Sequence, residues 1–238
     1  MASTLETHYL DLNDVRLAYC EHGKGPDLLL LHGNSQSKRI FLRYQLDHFA
    51  DFHTIAVDSP GHGQSTCGHE GPCYSGCCDA TCRLCAQLGI HHANILGYSD
   101  GANIALLMAK HAPHVIEKAV LISPNYRVEG MKPLTIWSIR VCVRALDTLA
   151  RLGLGTRKAS LRMAMMLEDL PITEEELQSL EVDISILYAE KEVIREGHLH
   201  QLANVIPSAS LVRVNSCRHL TILDHRQTIR LARRAFLS

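Results

Sequence analysis

The sequence has 238 residues, of which 46% are hydrophobic, and a formal net charge of −1. This length and composition are enough for one sizeable core, so we expect one large domain. A nucleic-acid-binding surface needs excess positive charge or stacking rings. The balanced charge and the aromatic content of 5% therefore predict no nucleic-acid partner.

The first residues show neither the basic nor the apolar segment of a secretory signal. No apolar run approaches the roughly 20 residues that span a bilayer. We therefore expect a cytoplasmic protein without a membrane span. The sequence contains nine cysteines, and in that compartment reduced thiols are favoured over disulfides.

The predicted elements begin with a hairpin. THYLDL and VRLAYCEHG alternate apolar and polar residues across a turn at Asn13-Asp14. Short aliphatic runs ending in polar or glycine-containing residues then recur as PDLLLLHGN, FHTIAVDSPGHGQS, ANILGYSDG, EKAVLISPN, DISILYAEKE and SLVRVNSCRH. Such runs are typical of strands buried on both faces of a parallel sheet.

Helical patterns lie between these runs, at DATCRLCAQLGI, ANIALLMAKHAP, EGHLHQLANVIP and ILDHRQTIRLARRAFL. Alternating strands and helices predict an α/β, doubly wound fold.

One long segment breaks the alternation. Residues 127–180 contain only helical patterns, and TEEELQSL opens with the capping-box spacing of Thr173 and Glu176. We interpret residues 127–180 as a helical insertion that forms a short lid, between two parts of one core at residues 1–126 and 181–238. Ordinary amphipathic helices covering the core would give the same pattern.

The stretch NILGYSDGAN places Ser99 between two glycines, where a strand ends and a helix begins. A connection this short forces a tight, strained turn that lifts the serine hydroxyl above the carboxyl end of the strand. Gly97 and Gly101 let the neighbouring backbone approach. The pattern is that of a G-x-S-x-G nucleophile elbow at a helix N-terminus, which favours developing negative charge.

A serine nucleophile needs a base and an acid that orients the base, here in the chain order Ser, Asp or Glu, His. His219 follows the last strand run and is the predicted base. Glu190 and Glu192 both follow the preceding run, and we favour Glu192 over Glu190 as the acid.

Two backbone N–H groups are expected to form an oxyanion hole. One is that of Asp100, directly after the nucleophile, and the other is that of Asn34, in the turn that begins at His32 and Gly33.

With these residues in order, the sequence resembles the α/β-hydrolase fold superfamily. It is most similar to the small, short-lidded serine esterases, C–C hydrolases and cofactor-free haloperoxidases. The resemblance covers nearly the whole chain through LLLHGNS, AVDSPGHGQS, NILGYSDGAN, LYAEKE and VNSCRHLTIL. It implies a mostly parallel eight-stranded sheet with helices on both faces and a short helical lid.

The resemblance also implies roles for single residues. The family's nucleophile, acid and base fall on Ser99, Glu192 and His219, and its turn at Asp58, Gly61, Gly63 and Ser65 is mainly structural. The sequence departs from the family pattern with Glu192 for aspartate, Arg218 for the glycine before the base, Ala102 for a glycine after the elbow, and a short lid.

The predicted function is that of a serine hydrolase, most simply a carboxylesterase that acts on small to medium esters through an acyl-enzyme. The partner is then a small ester-like molecule, and the chemistry needs no cofactor or metal. The same triad on C–C, thioester or lactone bonds, or in perhydrolysis, is a second hypothesis. A non-catalytic receptor or interaction module on the same fold is a third.

Six of the nine cysteines lie between Cys67 and Cys85. Cys78, Cys82 and Cys85 share one helical face and are expected to pack as small apolar residues. Cys67, Cys73 and Cys77 are assigned to a glycine-rich loop. They could form a redox-sensitive or disulfide-forming loop, or could bind a soft metal with His62 or His69, although no zinc-binding spacing is present.

Overall fold

A computed structural model describes residues 5–13, 15–68, 70–155 and 157–237. The strands are β1 (His8–Leu12), β2 (Val15–His22), β3 (Asp27–Leu31), β4 (His53–Val57), β5 (Ala93–Tyr98), β6 (Ile116–Ile122), β7 (Asp183–Lys191) and β8 (Ala209–Arg218). The α-helices are α1 (Tyr74–Leu88), α2 (Asp100–His111), α3 (Pro133–Arg151), α4 (Arg157–Met165), α5 (Glu174–Gln178), α6 (Glu196–Val205) and α7 (Arg226–Leu237). Short 3₁₀ or π turns lie at Lys38–Phe41, Tyr44–His48, Pro113–Val115, Val128–Gly130 and His219–Thr221.

The strands form one eight-stranded sheet in the order β1-β2-β4-β3-β5-β6-β7-β8. β1 pairs antiparallel with β2, β2 pairs antiparallel with β4, and the remaining neighbours are parallel. This confirms the predicted fold class and the opening hairpin, although Asp14 of the predicted turn lies outside the described residues. In such a sheet, ligands bind at the carboxyl ends of the strands.

The core lies on both faces of the sheet, as β3 illustrates. Leu29 and Leu31 pack in a cluster with α1 and α2, while Leu28 and Leu30 pack on the opposite face with α7. All four side chains are fully buried. Because successive side chains of a strand point to opposite faces, an uninterrupted aliphatic run supplies both layers.

Helix α1 begins five residues earlier than the sequence pattern indicated. Its first turn is capped by Cys73, whose Sγ accepts a hydrogen bond from the N–H of Gly76 at 3.4 Å. Cysteine is not among the residues that usually cap helices, so the pattern gave no start signal there. Cys77, assigned to the loop by the sequence, is therefore a buried residue of α1.

Helices α3, α4 and α5 occupy the segment between β6 and β7 where helices were predicted. The capping box of α5 is confirmed: Glu176 N–H donates to Thr173 Oγ1 at 3.2 Å, and Thr173 N–H donates to Glu176 Oε2 at 2.9 Å. Within the described ranges, no helix is long and apolar enough to cross a membrane.

The turn after β4 is held by a buried ion pair. Asp58 accepts hydrogen bonds from the backbone N–H and the Nζ of Lys38, each at 2.7 Å, and from the Gln64 N–H at 2.9 Å. A Cβ at Gly63 would lie 2.3 Å from the Asp58 carboxylate, and the φ of Gly63 is +50°. The turn therefore requires glycine at position 63.

Two buried histidines join this turn to the loop after β3. The Nδ1–H of His32 donates to the Gly33 carbonyl at 2.7 Å, and its Nε2 accepts from the Ser59 N–H at 3.1 Å. The His62 ring lies 5.2 Å from that of His32. Burial lowers the pKa of His62 to about 4, and the neighbouring His32 ring adds a smaller effect in the same direction. Both rings therefore fit the neutral form.

We expect acid to destabilise the fold through His62. Its pKa is 6.5 in the reference state and about 4 in the folded protein, so the unfolded chain binds more protons between these values. Stability should fall as the pH drops through that window, by about 1.4 kcal/mol per pH unit from this residue. Denaturant unfolding measured from neutral pH to pH 4 should therefore show that the stability of His62→Gln falls less steeply with pH than that of wild type.

The matched control is His92→Gln, because His92 is exposed. It should keep the wild-type dependence. An equal slope for His62→Gln and wild type would contradict a neutral, buried His62.

Candidate active site

Ser99 lies between the end of β5 and the start of α2 in a strained backbone conformation, with φ 53° and ψ −118°. Positive φ is uncommon for a residue with a side chain. The conformation is held by the Ser99 N–H, which donates to the Ile122 carbonyl of β6 at 2.8 Å. Ser99 remains partly accessible although its neighbours are buried. The turn thus presents the serine at the carboxyl edge of the sheet.

The two glycines of the motif are required by close backbone contacts. A Cβ at Gly97 would lie 2.4 Å from the Gly101 carbonyl oxygen, and one at Gly101 would lie 2.1 Å from the Leu31 carbonyl oxygen. Both distances are far inside van der Waals contact. The glycines let α2 start directly against β5 and β3, which keeps the turn at Ser99 short.

The structure brings His219 and Glu192 together. His219 follows β8, and its Nδ1 hydrogen-bonds to Glu192 Oε1; both residues are buried. The Tyr98 hydroxyl donates to the His219 carbonyl at 2.9 Å, and the two rings lie 5.4 Å apart. Tyr98 directly precedes Ser99, so one residue ties the serine turn to the histidine. The contact at Nδ1 leaves Nε2 as the nitrogen available to a reacting group.

Glu192 is held as a charged carboxylate. Its Oε2 accepts from the Ser123 hydroxyl at 2.5 Å and the Ala189 N–H at 3.2 Å, and its Oε1 accepts from the Val193 N–H at 2.7 Å. Burial alone would raise the pKa of Glu192, but His219 and these donors outweigh it and lower the pKa below the ordinary glutamate value. A buried carboxylate in this state can orient and balance an imidazolium.

Glu190, the alternative acid, points elsewhere. It is exposed, and its Oε2 accepts a hydrogen bond from the Ser216 N–H of β8 at 2.8 Å. Of the two glutamates, Glu192 is the one that contacts His219 in the structure. Arg218 is exposed, and its backbone N–H donates a hydrogen bond to Thr221 Oγ1 at 3.0 Å. The contact between Glu192 and His219 is formed although Arg218 directly precedes the histidine.

The loop after β3 lies against the serine. A Cβ at Gly33 would lie 3.1 Å from the Ser99 Cβ, so this glycine leaves room beside the hydroxyl. The Asn34 side chain donates from Nδ2 to Asp100 Oδ2 at 2.9 Å and to the Arg162 carbonyl of α4 at 2.7 Å. The backbone of Asn34 is thereby fixed beside the first turn of α2, where the N–H of Asp100 has no intrahelical partner.

Asp100 is buried beside the serine. Its carboxylate accepts from Asn34 and from the Tyr74 hydroxyl of α1 at 2.9 Å. Burial raises the pKa of Asp100, while hydrogen bonds from Asn34 and Tyr74 oppose the rise. Sequence reasoning named only the backbone N–H of Asp100 and missed this side-chain network.

Three contributing residues were not predicted. Ser123 follows a parallel strand, so the rule that ligands gather at strand ends could have found it. Tyr74 and Arg162 had no such signal, because a helix and the inserted segment bring them to the site from a distance in sequence.

The cysteines do not form a metal site in the described part of the chain. There, no cluster of three or more His, Cys, Asp or Glu side chains could hold a metal ion, and all nine cysteines are free thiols. Cys78 and Cys85 are buried as predicted, whereas Cys82 is only half-buried. Burial raises the pKa of Cys85 to about 12, which makes that thiol unreactive. His69 lies outside the described residues.

The comparisons with known proteins agree with this geometry. A family model described as alpha/beta hydrolase fold matches residues 26–140. The dihydrolipoyllysine-residue acetyltransferase component of an acetoin cleaving system from Cupriavidus necator is 31% identical over 49% of this chain and 31% of its own length. A 2-(acetamidomethylene)succinate hydrolase from Mesorhizobium japonicum is 30% identical over 52% of this chain and 46% of its own length. The chain thus matches about a third to about half of the length of these relatives.

Similarity in structure extends over the whole chain. The crystal structure of an E-2-(acetamidomethylene)succinate hydrolase has a TM-score of 0.82 at 18% identity, over 99% of this chain and 100% of that one. The strand order, the family model and this neighbour together show that the chain has the α/β-hydrolase fold, which confirms the predicted fold class. Its similar proteins include hydrolases.

We expect Gly101→Ala to destabilise the protein by about 3 kcal/mol or more, because the added methyl would meet the Leu31 carbonyl and force the backbone apart. Gly197→Ala is the matched control. Its Cβ would meet nothing within 4 Å in α6, so the substitution should be neutral or stabilise by up to about 1 kcal/mol. Urea unfolding of both variants measures the difference, and equal stabilities would contradict the close contact at Gly101.

Proposed function

We propose that the protein is a serine hydrolase, most simply a carboxylesterase that acts on small to medium esters. The observation that carries the proposal is the buried pair of Glu192 and His219, held by Tyr98 next to a serine in the elbow conformation. An ordinary surface serine needs neither the strain at its φ of 53° nor a buried acid–base pair beside it.

In the first step, His219 Nε2 takes the proton of the Ser99 hydroxyl as the oxygen attacks the ester carbonyl. No hydrogen bond joins the Ser99 hydroxyl to His219 in the described part of the chain. The proposal requires this contact to form when the substrate binds, since catalytic hydrogen bonds often tighten only in the complex. Glu192 fixes the ring with the proton on Nδ1 and balances the charge of the imidazolium.

The negative charge on the carbonyl oxygen is received by the backbone N–H groups of Asn34 and Asp100. The side-chain bond of Asn34 to Asp100 supports this role, because it holds both residues in one rigid unit. Donors fixed in advance stabilise the charge without reorganisation. The N-terminus of α2 adds a favourable field at the same point.

The tetrahedral intermediate collapses when His219 returns the proton to the leaving alcohol, which leaves the acyl group on Ser99 Oγ. Water then attacks the acyl-enzyme with His219 again as the base, releasing the acid and restoring the serine. Every proton in this cycle is handled by His219, and the cycle needs no cofactor or metal.

Residues 127–180 serve in this proposal as a short lid, inserted between the core parts 1–126 and 181–238. The hydrogen bond from Asn34 to the Arg162 carbonyl supports the role, because it places α4 against the loop after β3 that contains Asn34. A short segment in this position suits a small or medium substrate.

The first test is labelling with a fluorophosphonate probe together with hydrolysis of short-chain nitrophenyl esters. We expect wild type to be labelled and to turn over the esters, because the probe reacts with serines activated by a base. Ser99→Ala should lose both signals. Ser179→Ala, which removes only an exposed hydrogen bond to the Glu176 carbonyl, should keep both. A folded wild type that neither labels nor hydrolyses would refute the serine hydrolase and favour a binding role.

A second test separates the two candidate acids. Glu192→Gln retains the shape of the side chain but loses its charge and its ability to fix the His219 tautomer, so kcat should fall by about a thousandfold or more. Glu190→Gln should stay within about twofold of wild type, because Glu190 binds only a backbone N–H of β8. Comparable losses in both variants would mean that Glu192 is not the acid.

A further inference from the structure

Exposed apolar side chains are concentrated in one short segment of the protein. Of nine large hydrophobic residues exposed in the described chain, six lie on α3 and the turn after it: Leu134, Trp137, Val141, Leu149, Leu152 and Leu154. Leu134, Trp137, Leu152 and Leu154 are 73%, 62%, 67% and 72% exposed. Scattered apolar residues on a surface need no explanation, but a contiguous group marks an interaction site.

These residues form a second apolar face on α3. The face that packs against the core carries Ile136, Ile139 and Val143. At 100° per residue, Leu134, Trp137, Val141, Leu149 and Leu152 lie on the opposite side of the helix. We call this set, together with Leu154, the outer apolar stripe. A helix that is apolar on two opposite sides is normally covered on both.

Positive charge accompanies the stripe. Residues 132–158 contain six cationic side chains and one acidic one, Asp147, although the whole chain has a formal net charge of −1. Asp147 accepts a hydrogen bond from the Ser160 hydroxyl of α4 at 2.5 Å, so it faces the neighbouring helix. Arg140, Arg144 and Arg151 are exposed and lie along one edge of the stripe.

The start of α3, where the stripe begins, is tied to the loop that carries Glu192. Just before α3, the Lys132 N–H donates to the Val193 carbonyl at 2.9 Å, and the Arg195 N–H donates to the Gly130 carbonyl at 2.7 Å. These bonds tie the start of α3 to the loop that carries Glu192. A surface that docks α3 would therefore lie close to the carboxyl edge of the sheet.

We propose that the outer apolar stripe docks the protein on an anionic lipid bilayer, with α3 lying in the plane of the headgroups. The leucines and Trp137 enter the boundary between headgroups and acyl chains, as in interfacial amphipathic helices. Arg140, Arg144 and Arg151 reach the lipid phosphates, because long basic side chains extend along an apolar surface to place their charge at its edge.

The charge distribution favours a lipid surface over a second copy of the chain. A two-fold contact brings the same patch of both molecules together, so it would add three exposed arginines of a second copy to the three along this stripe. An anionic bilayer instead neutralises them. Docking on it should weaken with added salt, because exposed charges are screened.

The sequence provides its own reporter, because Trp137 is the one tryptophan of the chain. In buffer its emission should be that of a water-exposed indole. Vesicles of phosphatidylcholine mixed with phosphatidylglycerol should shift the Trp137 emission to shorter wavelength, and the protein should sediment with these vesicles. Vesicles of phosphatidylcholine alone should do so much more weakly.

Matched charge reversals test the geometry. Arg140→Glu with Arg144→Glu should reduce the vesicle partition coefficient by about thirtyfold or more, given the typical contribution of each basic residue near an anionic surface. The control is Arg226→Glu with Arg230→Glu, which reverses two exposed arginines at the same spacing on α7. It should keep most of the binding, although it changes the net charge equally.

Leu152→Glu with Leu154→Glu tests the apolar part and should also abolish the emission shift, while circular dichroism confirms folding. Equal losses in both arginine pairs would overturn the proposal in favour of non-specific attraction. No binding of wild type to the anionic vesicles would overturn it too. If sedimentation velocity then shows a dimer that the leucine variants dissociate, the stripe belongs to a second copy.

Discussion

The close approach of backbone around Ser99 is the contact on which the site depends. The Gly101 Cα lies so near the Leu31 carbonyl that no side chain fits, and Gly97 is equally close to the start of α2. These contacts join β3, β5 and α2 at one point, and the N–H of Ser99 adds β6. Because the surrounding core is packed on both faces of the sheet, the serine cannot relax out of its strained φ without separating these elements.

Around this point, the buried carboxylates are each satisfied by several partners, whereas His62 Nε2 and Arg162 Nε are buried without a hydrogen-bond partner. Asp58 receives three donors, Glu192 receives the Ser123 hydroxyl, two backbone N–H groups and His219, and Asp100 receives Asn34 and Tyr74. Each carboxylate joins segments that are far apart in sequence. The carboxyl edge of the sheet is thus held by fixed charge and hydrogen bonds, and the core beneath it by apolar packing.

Sequence reasoning found those features that depend on local pattern. The aliphatic runs predicted the strands because period-2 side chains fill both faces, and the glycines around Ser99 predicted the sharp turn. It favoured Glu192 over Glu190 because Glu192 lies where the acid of the resembling family usually does, and the structure places Glu192 against His219. It missed the start of α1, because a thiol caps that helix, and it missed Tyr74 and Arg162, because only the tertiary fold brings them near Asp100 and Asn34. It interpreted the segment that contains α3 as a lid, with an ordinary cover for the core as the alternative, and did not find the outer apolar stripe, since a list of apolar positions does not say which face meets solvent.

The bond from the Tyr98 hydroxyl to the His219 carbonyl has a consequence for how such a protein can change over evolutionary time. The bond ties the backbone of His219 to the residue directly before Ser99, between positions 121 residues apart in the chain. Insertions in the loops that carry Ser99 and His219, or sequence changes in the segment between β6 and β7, can accumulate without breaking this bond. The segment between β6 and β7 is then free to diversify while the backbone of His219 stays tied to the end of β5.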